Sequence, residues 1–577
     1  MKFSAALLLL LLAAAVGVLG RPHVRHAVLE GAQAKQNALH AAVKSLPRPI
    51  AGPMRAAEGD DEAVVTISDG QVHGIVNTTS RRFLGIPFAA PPTGSLRFAA
   101  PAAVAAWNGT VLNATEYRAG CMQHCKLPPH KCPVRVDEDC LYLNVYTPRV
   151  AAMQAPVPVI VFIPGGRFTE GGGSAPVYTG DYYANGTSTI LVTINYRLGA
   201  LGWLAVDESV TGNFGLADQR MALQWVQDNI AQFGGDPTQV TIQGQSAGAT
   251  SVATHLTSPA SFGLYHRAIL ESNPFGLALR TTEQAHDIGA NFVGAIGCNG
   301  AASVVDCMRG KSVDDVMKAQ KTSQIYINTK QLLDAFYPWS PIVDGTTLTG
   351  QPLDLLDSGD YNKVPMIIGH THSEATFFIY LVPVPVLDSE TKLLLKALYP
   401  GHTDDIEALY PLPPRWTDTR PYLSDLGTDL VILCPSRTAA ARVAKHQSDV
   451  WYYDYSHLLN DTQAAWGPKF EYCDDKACHG AELSVVFNSY REPIYNAKFT
   501  PDEVQLAHRM ANAFAALAHH GDPTATSAPV SWPRYNATAD TGINWNTPTD
   551  SSQTGYHADK CALWEQLGYF GNGTSLV

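Results

Sequence analysis

The sequence has little positive charge and few long apolar runs. Its 40 lysine and arginine residues are outnumbered by 52 aspartate and glutamate residues, which gives a formal net charge of −12. This balance argues against binding to nucleic acid and against a basic protein of membrane surfaces. After residues 1–20 no segment offers the roughly 18 consecutive apolar residues of a membrane span, and the C-terminal residues form no hydrophobic tail for a lipid anchor. We therefore expect neither a nucleic-acid partner nor a transmembrane anchor.

The N-terminal segment has the features of a targeting sequence. Residues 1–20 combine one early lysine, a leucine and alanine run, and small residues at the end, which predicts a secretory signal peptide. The alternative, a membrane anchor, needs a longer apolar stretch. Residues 21–62 are alanine-rich, are broken by prolines and end in an acidic cluster, so we interpret them as a propeptide or flexible arm. An extracellular protein is expected.

The chain contains ten cysteines but no Cys-x-x-Cys spacing. An even number of cysteines in a secreted protein predicts disulfides, although the count alone does not give their pairing. A metal site is the alternative, and the missing spacing and the oxidising compartment argue against it. We expect no metal and no cofactor. Seven Asn-x-Ser/Thr sequons predict glycosylation at Asn77, Asn108, Asn113, Asn185, Asn460, Asn536 and Asn572.

Apolar runs and helical patterns alternate along the chain. Residues 159–163 and 190–194 are continuous apolar runs, as expected for central strands that are buried on both faces. A helical pattern follows at 221–233, and further strands are predicted at 240–242, 365–368 and 450–455, with a long helix at 504–519. This alternation predicts an α/β fold with a large, mostly parallel sheet flanked by helices.

The most informative stretch is residues 233–248, which ends in Gly244-Gln245-Ser246-Ala247-Gly248. A short β-branched strand runs into this Gly-x-Ser-x-Gly, and small residues suited to a packed helix follow it. A serine in this strand, turn and helix context is typical of the nucleophile of an α/β-hydrolase. The pentapeptide alone occurs by chance in many long chains, so its context is what carries the prediction.

The stretch 233–248 resembles a signature of type-B carboxylesterases and cholinesterase-like proteins, and residues 138–146 resemble the family's second signature. The likeness extends from about residue 64 to residue 570. It implies one large α/β-hydrolase domain over residues 63–577, a structural pair between Arg97 and Glu138, and three disulfides: Cys121–Cys140, Cys298–Cys307 and Cys434–Cys561. The remaining cysteines are close in sequence as Cys125–Cys132 and Cys473–Cys478, and we propose these two pairs.

The resemblance also assigns catalytic partners to Ser246. A serine needs a base to remove its proton, and the base needs a carboxylate that fixes its tautomer. In α/β-hydrolases the chain order is serine, acid, histidine. Glu374, after the strand at 365–368, matches the family's acid, and His479 matches its base. The alternatives are a solvent-exposed surface position for Glu374 and an ordinary polar position without catalytic function for His479. His370 and His372 are alternative bases only because they are close to Glu374 in the sequence. Ser272, Glu482 and Gln245 would surround the histidine.

The oxyanion hole departs from the family pattern. Backbone amides of Gly166, Arg167 and Ala247 are expected to form it, but Arg167 stands where the family has a third glycine. Gln245 stands where many members have glutamate, and the Cys121–Cys140 loop contains no tryptophan to bind a choline cation. Both substitutions add positive charge relative to the family, which disfavours cationic substrates.

The sequence therefore predicts a secreted serine esterase that acts on a small neutral or apolar ester and not on choline esters. Aromatic residues at 336, 337, 339, 377 and 378 are expected to line its pocket, with an ordinary core role as the alternative. Two other functions stay open: a lipase, and a catalytically weak or inactive adhesion or structural protein. The sequence leaves the oligomeric state open.

Overall fold

The computed structural model of the protein describes residues 62–107, 109–324, 333, 336–491, 497–525 and 530–568. The expected signal peptide, nearly all of the expected arm, and the sequons at Asn108 and Asn572 lie outside the described residues. Within these ranges no helix is long and apolar enough to cross a membrane.

Strands in the described part of the chain are short at its N-terminal end and longest in the middle. In chain order they are β1 (Val64–Ile67), β2 (Gly70–His73), β3 (Ile75–Val76), β4 (Ser80–Pro87), β5 (Val111–Asn113), β6 (Gly120–Cys121), β7 (Val136–Asp137), β8 (Tyr142–Pro148), β9 (Val157–Ile163), β10 (Ile190–Ile194), β11 (Ala205–Asp207), β12 (Val210–Thr211), β13 (Gly235–Gln245), β14 (Arg267–Glu271), β15 (Arg280–Thr281), β16 (Ile342–Val343), β17 (Met366–Thr371), β18 (Val450–Tyr455), β19 (Thr541–Trp545) and β20 (Ser551–Thr554).

Eleven of these strands form one sheet in the order β20-β19-β18-β17-β14-β13-β9-β10-β8-β4-β3. Neighbours from β19 to β10 run parallel. The edges are antiparallel, with β20 at one end and β8, β4 and β3 at the other. The carboxyl ends of the parallel strands therefore lie along one side of the sheet, where ligands bind in α/β proteins.

Helices between the strands cover both faces of the sheet. They are Asp181–Gly186, Gly199–Trp203, Phe214–Asn229, Ala247–Thr257, Thr282–Ala295, Val304–Arg309, Val313–Ser323, Pro352–Ser358, Thr376–Ile379, Asp388–Leu398, Thr403–Leu409, Arg420–Thr428, Cys434–Ala444, Thr462–Ala465, Leu483–Val486, Pro501–His520 and Ala558–Leu567. A π-helical turn, Asp429–Leu433, joins two of them.

Strand β9 shows why its sequence is a continuous apolar run. All of its residues are buried, and successive side chains of a strand point to opposite faces. Val159 and Val161 enter the core cluster that contains residues of the helix Ala247–Thr257. Ile160 and Phe162 enter the other cluster, with residues of the helix Pro501–His520. Each face of the sheet thus has its own apolar core.

The predicted α/β-hydrolase fold is confirmed, and the predicted elements differ from the observed ones mainly at their ends. The helix expected at 221–233 begins at Phe214, and the strand expected at 240–242 extends from Gly235 to Gln245. Gly234 precedes that strand with φ of 93°, a left-handed conformation that favours glycine.

Candidate active site

Ser246 lies between the carboxyl end of β13 and the first residue of the helix Ala247–Thr257. Its backbone has φ of 58° and ψ of −124°, a combination outside the regions that L-residues ordinarily occupy. The turn is also crowded, since a Cβ atom on Gly244 would lie 2.3 Å from the Gly248 carbonyl oxygen, and one on Gly248 would lie 1.9 Å from that of Ile163. Both glycines are therefore required for the sharp turn that carries the serine, whose surface is 6% exposed.

Glu374 and His479 come together beside this turn. His479 Nδ1 lies 2.5 Å from Glu374 Oε2, and the Thr371 amide donates to Glu374 Oε1 at 2.7 Å. Burial favours the neutral carboxyl and is the largest single effect. The charge of His479, its hydrogen bond, the Ser272 hydroxyl and the Thr371 amide together outweigh burial and lower the pKa of Glu374. The carboxylate is therefore ionised and holds the proton of the histidine on Nδ1.

The two loops that carry these residues are joined directly. The Ser373 amide donates to the Ala477 carbonyl oxygen at 3.0 Å, and Ser373 pairs with Cys478 in a single β-bridge. Cys478 is also bonded to Cys473. The residue before His479 is thus held both to the loop of Glu374 and to its own loop, which limits the movement of the imidazole.

The rival histidines belong to a different cluster. His370 is fully buried, and its Nδ1 lies 3.5 Å from Asp454 Oδ1. His372 Nδ1 lies 3.2 Å from Asp454 Oδ2. His479 alone among these three contacts Glu374 in the described structure.

Gln245 lies on the side of the imidazole opposite Glu374. Its amide Nε2 is 3.2 Å from His479 Nε2. An amide nitrogen donates, so His479 Nε2 accepts, and the ring proton resides on Nδ1. This is the tautomer that a general base needs, and Gln245 occupies the lone pair that would receive the serine proton.

The other two residues expected around the histidine are buried but do not bond to it. Both carboxyl oxygens of Glu482 lack a hydrogen-bond partner among the described residues, and the Ser272 hydroxyl acts on Glu374 rather than on the histidine. Burial, followed by the charges of Glu271 and Glu374, raises the pKa of Glu482 well above its usual value. Burial likewise raises the pKa of Glu271 to about 8. Two buried carboxyl groups with raised pKa values, Glu271 and Glu482, thus lie among the residues behind the site.

The segment after β9 carries the expected oxyanion-hole amides of Gly166 and Arg167. Gly166 has φ of 118°, and Arg167 has φ of 55°. Arg167 therefore adopts the left-handed conformation, which costs a non-glycine residue about 1–2 kcal/mol. Its guanidinium lies 3.0 Å from Glu170 Oε1, and Glu170 is almost fully buried. Glu170 neutralises much of the positive charge that the sequence placed beside Ser246.

A cavity of about 160 Å³ opens beside Ser246 and His479. Most of its wall is aliphatic and comes from the segments 375–399 and 423–432. Of the aromatic residues expected here, Phe336, Tyr337 and Phe378 line this cavity. Trp339 was wrongly assigned, because it lines a separate small pocket with Trp203 and Ile342. Phe377 lines a second, smaller pocket at the serine.

Sequence analysis missed a buried lysine in that smaller pocket. Lys131 lies in the loop closed by Cys125 and Cys132, and only 6% of its surface is exposed. Its ammonium donates to the Gly480 carbonyl oxygen at 2.8 Å. The only signal in the sequence was the position of this lysine between Cys125 and Cys132. That position does not distinguish a buried lysine from an exposed one.

The five expected disulfides all form in the structure, which contains no free cysteine among its described residues. Arg97 and Glu138 make the expected ion pair, with Nε 2.7 Å from Oε1. Of the described sequon asparagines, Asn77 is partly exposed. The other four are exposed: Asn113, Asn185, Asn460 and Asn536. In the described ranges no group of three or more His, Cys, Asp or Glu side chains is arranged to hold a metal ion.

Comparison with known proteins places the chain among esterase-like proteins. The profile described as "Carboxylesterase family" matches residues 61–564. The chain is 40% identical to the "Crystal protein" of Dictyostelium discoideum over 521 residues, which cover 89% of this chain and 92% of that protein. It is 38% identical to the "cAMP-regulated D2 protein" of the same organism, over 89% and 94% of the two chains. It is 33% identical to the "Acetylcholinesterase" of Bungarus fasciatus, over 88% and 86%.

Proposed function

The chain belongs to the carboxylesterase family, and we propose that it is a secreted serine esterase that cleaves neutral or apolar carboxylic esters through an acyl-enzyme. The observation that carries this proposal is the contact of His479 with Glu374 at 2.5 Å, beside the strained Ser246. Ser246 and His479 line the same apolar cavity. A substrate in that cavity would meet the nucleophile and its base together.

In the proposed mechanism, the Gln245 amide first releases His479 Nε2. His479 Nε2 then accepts the hydroxyl proton as Ser246 Oγ attacks the ester carbonyl carbon. Glu374 stabilises the imidazolium that forms. The amides of Ala247, Gly166 and Arg167 donate to the oxyanion, and loss of one such donor typically costs roughly 10²–10³ in kcat. The intermediate collapses as His479 returns the proton to the departing alcohol. Water then attacks the acyl-enzyme with His479 again as base, which releases the acid and restores Ser246.

Choline esters are excluded from the proposed substrates. The Cys121–Cys140 loop has no tryptophan to attract a quaternary ammonium, and the basic residues Arg167 and Lys131 both lie at the pocket next to Ser246. The likeness to an acetylcholinesterase therefore does not extend to a cation site. Turnover of acetylthiocholine as fast as that of a neutral aryl ester would contradict this part of the proposal.

A non-catalytic adhesion or structural protein is the second candidate, and Arg167 is the observation that favours it. A side chain at this glycine position is one way in which an oxyanion hole is lost. A lipase is an enzymatic variant of the first proposal that differs in acyl length.

A series of 4-nitrophenyl esters from acetate to palmitate tests these functions, with the Ser246→Ala protein as the control. We expect turnover that requires Ser246. The highest kcat/KM is expected for acyl groups of medium length, because the cavity is apolar but its volume is limited to about 160 Å³. A steep preference for palmitate would indicate the lipase. Absence of turnover across the series in folded protein would favour the non-catalytic candidate.

A further inference from the structure

Lys131 is a buried cation without a counter-anion in contact. It is 6% exposed, and no carboxylate of the described residues lies within the 4.0 Å of an ion pair to its ammonium. Its contacts are the Gly480 carbonyl oxygen at 2.8 Å and the face of the Trp466 ring at 4.8 Å. A buried charge is costly unless an opposite charge accompanies it.

No neighbouring carboxylate of the described residues supplies that opposite charge in direct contact with the ammonium. The carboxylate of Glu170 is already paired with Arg167 at 3.0 Å. Glu482 is the carboxyl group whose charge acts on the ammonium, and it does so from beyond ion-pair distance. Burial and the charges of Glu271 and Glu374 raise the pKa of Glu482 well above its usual value, against the opposing effect of Lys131. Burial lowers the pKa of Lys131 to about 8, against the opposing effect of Glu482. The side chain is therefore mainly an ammonium at neutral pH.

Lys131 lines a small pocket that begins at Ser246. This pocket has a volume of about 40 Å³ and shares Ser246, His479, Arg167 and Phe378 with the large cavity. The two spaces therefore meet at the serine. A volume of this size holds a compact group of a few atoms, since one water needs about 10–15 Å³ on the same scale.

A second hydrogen-bond donor, the Gln245 amide, lines the same pocket. A methyl group on Gly480 would lie 3.4 Å from Lys131 Nζ and 3.6 Å from Gln245 Nε2. An ammonium and an amide therefore flank one position next to the catalytic histidine. Two donors around a compact space suit a carboxylate better than an apolar or cationic group.

We propose that this pocket is an anion subsite, and that the substrate is an ester with an apolar group at one end and a carboxylate or similar compact oxyanion at the other. The ester part of this proposal rests on the proposed function, whereas the anion part rests only on Lys131 and its surroundings. The apolar end occupies the large cavity, the ester carbonyl lies at Ser246, and the anion contacts Lys131.

Two pairs of matched esters test the proposal. The first pair, 4-acetoxybenzoate and 4-acetoxybenzamide, differs by a charge on the alcohol side. The second pair, the 4-nitrophenyl monoesters of succinate and succinamate, differs by a charge on the acyl side. For one of the two pairs, we expect the wild-type kcat/KM to be higher for the carboxylate ester than for its carboxamide partner. Lys131→Met should lower the ratio of these two kcat/KM values about tenfold or more.

Matched variants separate the charge from the fold. Lys131→Arg retains the charge and is expected to retain most of the preference. Lys126→Met removes an exposed lysine from the same disulfide loop and is expected to leave the ratio as in the wild type. A preference that survives Lys131→Met, or a wild-type protein that prefers neither carboxylate, would overturn the anion subsite.

A binding measurement separates the two proposals. Calorimetry of Ser246→Ala protein with benzoate and with benzamide needs no turnover, and we expect benzoate to bind more tightly by about tenfold. The preference should vanish in Ser246→Ala/Lys131→Met and persist in Ser246→Ala/Lys131→Arg. Lys131-dependent benzoate binding without any ester hydrolysis would retain the anion site and reject the esterase. Ester hydrolysis with no preference for carboxylate esters and no tighter binding of benzoate would retain the esterase and reject the anion site.

Discussion

His479 Nδ1 lies 2.5 Å from Glu374 Oε2, and the residues are 105 positions apart in the chain. The contact joins the loop after β17 to the loop after β18, two parallel neighbours whose carboxyl ends lie on the same side of the sheet. The contact depends on the fold, because neither loop alone places an acid beside a base. Its chemical effect is to fix the proton on Nδ1 and leave Nε2 facing Gln245 and the nucleophile turn.

Glu374→Gln should reduce kcat for a 4-nitrophenyl ester by about 10³–10⁴, with little change in KM. A glutamine amide can donate to Nδ1, which moves the ring proton to Nε2 and removes the base, and a comparable change in a serine protease costs about 10⁴. Steady-state kinetics checks this. Glu471→Gln, at an exposed position eight residues before His479, serves as the control and should retain full activity. A loss below tenfold in Glu374→Gln would mean that another group orients the histidine.

Arg167→Gly should change kcat by less than about tenfold. The backbone at 167 already has φ of 55°, so a glycine would reproduce the present conformation, and the arginine charge is paired with Glu170. Parallel kinetics of the variant and wild type on 4-nitrophenyl acetate checks this. An increase of 10²–10³, the typical value of one oxyanion-hole donor, would show that the arginine disables the hole in the natural protein.

Glu271→Gln should flatten the dependence of stability on pH. Burial raises the pKa of Glu271 from 4.5 to about 8. Between these values the folded protein holds a proton that the unfolded chain releases, so the free energy of unfolding falls as pH rises, by at most about 1.4 kcal/mol per unit. Glutamine keeps the acceptor for the Gln243 amide, now at 2.7 Å from Glu271 Oε1, and does not titrate.

Urea unfolding at several pH values from 5 to 8 measures this slope. The variant should lose less stability than the wild type over that range, while Glu283→Gln, at an exposed position in the first turn of a helix, should match the wild type. Equal slopes in all three proteins would show that Glu271 is ionised in the folded state.

The carboxylate preference should disappear at high pH. The pKa of Lys131 is lowered to about 8 by burial, with Glu482 opposing the shift, so the ammonium is present below that pH and is lost as pH rises through it. His479, Arg167 and Tyr178 line the same pocket, and their effects on turnover largely cancel in a ratio of two esters. The ratio of kcat/KM for the carboxylate and carboxamide esters should fall severalfold between pH 7 and pH 9.5.

Lys131→Arg provides the control for this pH dependence, because a guanidinium stays charged throughout the range. Its ratio should be constant from pH 7 to pH 9.5. A wild-type ratio that is equally constant would contradict the role of the Lys131 ammonium.

The sequence identifies the residues of the proposed triad because they occupy short motifs in a fixed chain order. It does not identify Lys131, since the burial of that side chain depends on Gly480, 349 residues away. The charge of Arg167 was overestimated for a simpler reason, because Glu170 follows it at the i+3 position. The pocket was assigned to aromatic residues, yet its wall is mostly aliphatic and comes from segments after residue 374. Long-range packing determined the burial of Lys131 and the composition of the pocket wall, whereas the Arg167 pair is local.

Covalent labelling with a fluorophosphonate most directly tests whether Ser246 is an activated nucleophile. The serine oxygen displaces fluoride from phosphorus and forms a stable adduct, and peptide mass spectrometry locates it. We expect close to one label per wild-type chain, on the peptide that contains Ser246, and none in the Ser246→Ala protein. Wild-type protein that is folded but unlabelled, or a Ser246→Ala variant that is labelled to the same extent, would contradict the assignment of Ser246 as the nucleophile.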